Sequence, residues 1–489
     1  MREALLGLVC AALLPAADPP QVLDLQTTLR GETLRLPRRE AMGLVGLSGT
    51  AESGSFYLGP GLYGAARGDR GGFFTFGLEG GLRRRLAPTL PLEWDAGLFL
   101  GGGGGAAAPQ GGGLMVRPHL GLSAAMGRLR LGVELSRVRF PNGGIDSTQA
   151  AWTLAVRTDH LWLPEGSRGP AYGGPVRWGE RDFELEALRL EPGVSARTRR
   201  GTPQPALDLA GAVLAAGLRG PFFRFLALDG AVRGSSAGYA QAQAGLGVRA
   251  PLAGPLGLEA RLGAGLGGGG DLDTGGGFLL SGEGALTVGT GPWRGAVAVG
   301  FQEAPGGSFR SRTLTLRLTH RTGVPQPARE GAPLPEADLA AWRAGSGLLV
   351  YRRAPRQDGS ESSLQIMTLR LDRRLSEAFY LTGEAGSATG GGAGGYSTGL
   401  AGLGAQTPPR AGQRLFLEAA LGAGGGGGLR AGGGLLASAR AGWRLELGRG
   451  LGLDATAGRV RAPHGNLDAR TLGFGLHLRF ATPERRARS

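Results

Sequence analysis

Cysteine is almost missing: Cys10 is the only one in 489 residues. A disulfide framework and a cysteine-based zinc site are therefore excluded within one chain. Lysine is absent, so all 54 basic residues are arginine, and asparagine occurs only at Asn142 and Asn466. Histidine is confined to His119, His160, His320, His464 and His477, with no metal-ligand spacing among them. Beyond the N-terminus no apolar run approaches the roughly twenty residues of a membrane helix. Glycine, by contrast, is abundant at 96 residues, but without a Gly-X-Y period, which excludes collagen. Disorder does not fit either, because the hydrophobic fraction is 41% and the apolar residues alternate with polar ones.

Glycine, alanine, arginine and proline share GC-rich codons, so the formal charge of +15 carries little functional weight by itself. A nucleic-acid site needs arginines gathered on one face with aromatics between them. Here they fall singly in strands and turns, apart from brief clusters such as Arg83-Arg84-Arg85 and Arg199-Arg200. No nucleic-acid partner is expected.

The start of the chain reads as an export signal over 1–17. Arg2 and Glu3 precede the apolar stretch 4–14, and Pro15-Ala16-Ala17 supplies a small-residue exit. That stretch is too short to span a bilayer.

The rest of the chain makes one statement three times. Gly72-Phe73, Glu93, the glycine run 101–105, Gly111-Gly112-Gly113 and Pro141-Asn142-Gly143 follow in order. Gly238-Tyr239, Glu259, 267–270, Gly275-Gly276-Gly277 and Pro305-Gly306-Gly307 repeat them, and Gly395-Tyr396, Glu418, 424–428, Gly432-Gly433-Gly434 and Pro463-His464-Gly465 repeat them again. An ordered set recurring at about 160 residues is a triplicated structural unit. We place repeat 1 at 22–163, repeat 2 at 182–322 and repeat 3 at 346–481, followed by a basic tail at 482–489.

Within each repeat the period is two. Leu129, Leu131, Val133 and Leu135 alternate with Arg130, Gly132, Glu134 and Ser136, which is a strand with one oily and one wet face. Turn signals such as Gly68-Asp69 and Pro141-Asn142-Gly143 are closely spaced, so neighbouring strands should pair antiparallel. The best helical candidate is 335–343, between two repeats. Each repeat divides into about eight strands, giving about 24 in all. Strands near ten residues with this alternation, behind an export signal, fit an outer-membrane barrel, and hydrocarbon forces such a sheet to close.

The end of the chain sharpens this. Gly475, Leu476, Leu478 and Phe480 form a glycine followed by alternating apolar positions and a closing aromatic. This segment resembles the terminal strand of bacterial outer-membrane β-barrel proteins. The resemblance implies an outer-membrane location, contact with outer-membrane lipid and recognition by the barrel-assembly machinery. The tail beyond Phe480 and the calculated pI of 11.1 depart from the family's usual pattern. The other two repeats end less clearly, so the expectation is one transmembrane antiparallel barrel of about 24 strands. The alternative is three tandem eight-stranded barrels.

A wide barrel would enclose water. On that footing Glu93, Glu259 and Glu418, with Arg117, Arg130, Arg249, Arg317 and Arg440, are the candidate lumen residues, and a porin-like passive channel with anion preference is the expected function. Three small filled barrels would instead be non-conducting structural or binding proteins. Catalysis is not expected. The glycine runs lack the Gly-Lys-Ser/Thr ending and following helix of a phosphate loop. The strings around Ser236 and Ser397 lack the helix of a nucleophile elbow. No cofactor and no metal are expected.

Overall fold

A computed structural model describes residues 21–164, 172, 174–330, 332–334, 338–448 and 450–486. The export signal over 1–17 lies outside the described residues, as do the last three residues of the tail. Twenty-four long antiparallel strands fall into three repeats of eight. Among the described residues the only helical segment is the turn Pro37–Arg39. The candidate helix does not form: Asp338–Pro355 is a strand, and 335–337 lie outside the described residues. Its Leu339, Ala341 and Arg343 share one face of that strand, with Ala340 and Trp342 on the other, and pairing with a neighbouring strand outweighs weak helical propensity.

The wall closes three times rather than once. In the first barrel Gln21–Arg35 pairs with Asp146–Pro164, from Gln21 opposite Trp162 to Glu32 opposite Ala151. In the second, Pro175–Pro192 pairs with Arg310–Pro327. In the third, Asp338–Pro355 pairs with Asp468–Arg486, with Trp342 opposite Phe480. The single 24-stranded cylinder is thereby corrected to the tandem arrangement. The physical reason is twist: eight hairpin-connected strands coil far enough to bring the last strand of a repeat beside its own first, and those strands, 15 to 19 residues long, pair along most of their length. Each last strand therefore finds its own first strand and leaves no edge open.

Strand direction gives each barrel two unlike ends. In the first, the segments 36–40, 68–73, 105–114 and 140–145 form a loop end, while 54–55, 86–91 and 127–128 form a turn end with the termini. The glycine landmarks belong to the loop end. Gly72, Gly238 and Gly395 have φ of +91°, +86° and +93°, and Gly113, Gly277 and Gly434 have +98°, +96° and +99°. These are equivalent positions held in a conformation that favours glycine.

The same glycines join the barrels. The Gly71 amide donates to the Gly275 carbonyl at 2.8 Å, and the Gly394 amide to Gly111 at 3.2 Å. A Cβ on Gly113, Gly277 or Gly434 would strike the carbonyl of Ala388, Ala65 or Ala231 respectively. Barrel one thus seats on barrel two, two on three and three on one, a cyclic order with pseudo-threefold symmetry. At the turn end the closing strands also meet, with Ala481 opposite Leu163 and Gly323 opposite Arg485.

Candidate functional site

The polar faces read from the sequence converge inside the barrels, and the apolar faces turn out. Leu131, Val133 and Leu135 of the first barrel, Leu262 and Val299 of the second and Leu417 of the third are exposed, Leu262 to 70%. Arg117, on the opposite face of its strand, is fully buried. Burying charge while exposing leucine inverts a water-soluble protein and suits a wall that faces lipid.

Each interior has two layers. Nearest the loop end is an apolar plug. In the first barrel Leu34, Met42, Tyr63, Phe73, Phe99 and Phe140 pack together, with Tyr63 edge-on to Phe99 at 4.8 Å between ring centroids. Comparable plugs form around Tyr239 and Phe309 in the second barrel and around Tyr351 and Tyr396 in the third. They arise because equivalent loops turn an apolar residue inward beneath the glycines.

Below the plug lies a layer of ion pairs. Arg117 donates to Glu32 at 2.9 Å and to Glu134 at 3.0 Å, and Arg30 reaches Glu79 at 2.5 Å and Glu134 at 3.1 Å. Arg130 meets Glu93 at 2.8 Å. In the second barrel Glu259 accepts from Arg249 at 2.7 Å, Arg261 at 2.7 Å and Arg317 at 3.1 Å. In the third, Glu418 accepts from Arg370 and Arg440, and from the Tyr380 hydroxyl at 2.5 Å. Arg440 also reaches Glu384 at 2.7 Å.

Glu93, Glu259 and Glu418 therefore occupy three separate interiors and form no common ring. Arg117 and Arg130 lie with Glu93, Arg249 and Arg317 with Glu259, and Arg440 with Glu418. Reading repeated glutamates and scattered arginines overlooked their partners: Arg30, Glu79 and Glu134, then Glu184 and Arg261, then Arg370, Asp372 and Arg444. One signal pointed to them. Gln26, Thr28, Arg30 and Glu32 form an unbroken polar run at period two, and all four are buried. Gly475, Leu476, Leu478 and Phe480 lie on the strand that closes the third barrel, where Phe480 pairs with Trp342.

Asp95, His119 and Glu134 bring potential metal-ligand atoms within 4.8 Å of one another. The Tyr57 hydroxyl lies 2.9 Å from His119 Nε2. Arg30 and Arg117 already hold Glu134, and two guanidiniums beside it oppose a divalent cation. The cluster reads as one more part of the polar packing.

No family model and no curated protein matches the chain. Among solved structures it is similar to the outer membrane protein OpdK of Pseudomonas aeruginosa, at 10% identity, covering 94% of this chain and 99% of that one, with a TM-score of 0.21. OccAB3 of Acinetobacter baumannii gives 10% identity, 95% and 99% coverage and 0.21. The ferric enterobactin receptor PfeA of Pseudomonas aeruginosa gives 10%, 94% and 81%, and 0.29. The fold is an antiparallel β-barrel, closed three times within one chain.

Proposed function

We propose that this chain is a non-conducting structural or binding protein of the bacterial outer membrane, with three filled barrels joined as one body. The observation that carries the reading is the content of the walls. An eight-stranded wall leaves room for side chains and little else. Here that room holds an apolar plug over paired arginines and carboxylates. The matched carboxylates also remove the positive interior that an anion preference requires. What the geometry offers to partners is the loop end, where the barrels are tied together, and the outer wall. Neither presents an arrangement suited to catalysis, so we read the protein as no enzyme.

The test is conductance. Full-length protein inserted into planar bilayers is expected to give no current in either orientation, while a general porin measured in parallel conducts. Stable current steps that scale with the number of inserted molecules would overturn the reading and restore the porin-like channel.

A further inference from the structure

The outer wall of the third barrel differs from the other two along a single hydrogen-bonded row. Leu403 stands opposite Ala419, Ala419 opposite Ala439, Ala439 opposite Arg459, Arg459 opposite Arg470 and Arg470 opposite Arg352. Strands in such barrels tilt by about 35–45°, so a row perpendicular to them climbs the wall. This one starts near the turn end at Leu403 and arrives near the loop end at three arginines side by side. All three are exposed. Like charges directly opposite one another are unfavourable in a sheet. Arg459 is matched by Asp468 at 2.5 Å and 2.6 Å, whereas Arg470 and Arg352 have no acidic residue across the strand from them. A register shift between Tyr351 and Ala354, with Arg353 at φ +52°, turns both Arg352 and Arg353 out to the surface.

The lower part of the row is hollow. The alanines at 439, 441 and 457 floor an apolar groove of about 900 Å³ that runs from Leu375 and Phe379 at the turn end to Arg459. The second barrel has Gly282, Phe301, Arg312 and Glu191 along the equivalent row, with the arginine facing a carboxylate. Next to Gly282, its wall bears the large Val297 and Val299. The first barrel has Thr148 opposite Arg137, and Pro118, Leu120 and Leu135 in place of the alanines, with both leucines exposed. Groove and arginine row occur together in the third barrel only.

We propose that this surface binds an anionic, phosphate-bearing membrane lipid. An acyl chain lies along the alanine-floored groove, and Arg459, Arg470 and Arg352 hold the phosphate at the loop end. A strip that is apolar below and cationic above complements an amphiphile with one oily and one anionic end. The proposal rests on the membrane reading given above, and the experiment separates the two.

Full-length protein in detergent is incubated with dioleoylphosphatidic acid, with dioleoylphosphatidylcholine or with inorganic phosphate, and retained adducts are counted by native mass spectrometry. Phosphatidic acid should be retained in preference to phosphatidylcholine, and millimolar inorganic phosphate should not displace it. R352Q/R470Q should lower its retention by about 30-fold. A439L/A441L, which fills the groove and leaves every arginine in place, should lower it as well. R312Q in the second barrel should leave it unchanged. Retention of the heat-sensitive folded band on gels verifies that each variant is folded. Equal retention by all variants, equal retention of both lipids, or full displacement by inorganic phosphate would overturn the lipid site. A chain that stays monodisperse without detergent would instead overturn the membrane reading, whatever its adducts.

Discussion

Replacing Glu259 with glutamine tests whether the second barrel is filled or open. The carboxylate is 3% exposed and takes three guanidinium contacts, two on Oε1 from Arg261 and Arg317 and one on Oε2 from Arg249. Glutamine keeps the shape but has one acceptor oxygen, and its amide turns a donor toward a donor. Each arginine retains a second carboxylate: Asp182 at 2.8 Å for Arg249, Glu184 at 2.8 Å for Arg261, and Glu283 for Arg317. The expected cost therefore lies at the lower end of the range for breaking a buried pair, about 3 kcal/mol. That is roughly a hundredfold in an opening equilibrium. Hydrogen exchange reads it barrel by barrel. Amides of Leu256–Gly268 should exchange roughly a hundredfold faster in E259Q, while those of Gln413–Gly425 in the third barrel stay unchanged. Replacing both partners with apolar side chains, in E259M/R317M, where Glu283 keeps Arg261 at 3.6 Å, should recover much of the protection, because a buried pair replaced by apolar groups is often neutral. Unchanged exchange in E259Q would mean that water already solvates the carboxylate, and the filled interior would be refuted.

The loop end gives two further predictions. The Arg70 guanidinium donates to Glu40 at 2.7 Å and 2.6 Å and to the carbonyls of Ala106 and Ala107 at 2.9 Å and 2.8 Å, and this pairing holds the Glu40 carboxyl below its ordinary value. A depressed carboxylate stabilises the fold above its unfolded pKa, and that contribution is lost as pH falls through the folded one. Protection of 68–73 and 105–114, measured relative to intrinsic exchange at each pH, should therefore fall on acidification below about pH 4, and E40Q should abolish that loss. Gly277→Val places a branched side chain at φ +96° and against the Ala65 carbonyl. It should cost more than about 1 kcal/mol and free the Gly71 amide, which exchange at that residue would report, with the strands of both barrels still protected.

The strands and their faces were legible in the sequence because a period of two dictates both, and Leu129 to Ser136 shows it without interruption. The order of glycine landmarks revealed the triplication for a related reason: positive φ at Gly72, Gly238 and Gly395 leaves little choice of residue. Closure was not legible. Whether Asp468–Arg486 pairs with Gln21–Arg35 or with Asp338–Pro355 depends on a contact between distant strands, and all three first strands alternate alike. The interior partners were half visible. Glu259 stood out by repetition, but Glu184, from another hairpin, comes to share Arg261 with it through curvature that no local pattern encodes. The glycine runs are points where barrels touch: a Cβ on Gly268 would meet the Gly72 amide of the first barrel, and one on Gly425 the Gly238 amide of the second.

That contact explains why three barrels share one chain. Between bodies embedded in lipid the hydrophobic effect gives no drive to associate, because hydrocarbon wets a leucine wall as well as another wall does. Close backbone packing at Gly113, Gly277 and Gly434 remains, with hydrogen bonds such as those from Gly71 and Gly394. These are few for an independent association. Covalent linkage makes the encounter intramolecular, with an effective concentration in the millimolar range for short connections, so weak seats suffice. Cutting the connections should expose the weakness. Protease sites introduced into 165–174 and 328–337, then cleaved after folding in detergent, should release barrels that separate on dilution, each still resistant to denaturation. If the cut protein instead migrates as one body at nanomolar concentration, the glycine seats alone are strong enough, and tethering does not hold the assembly together.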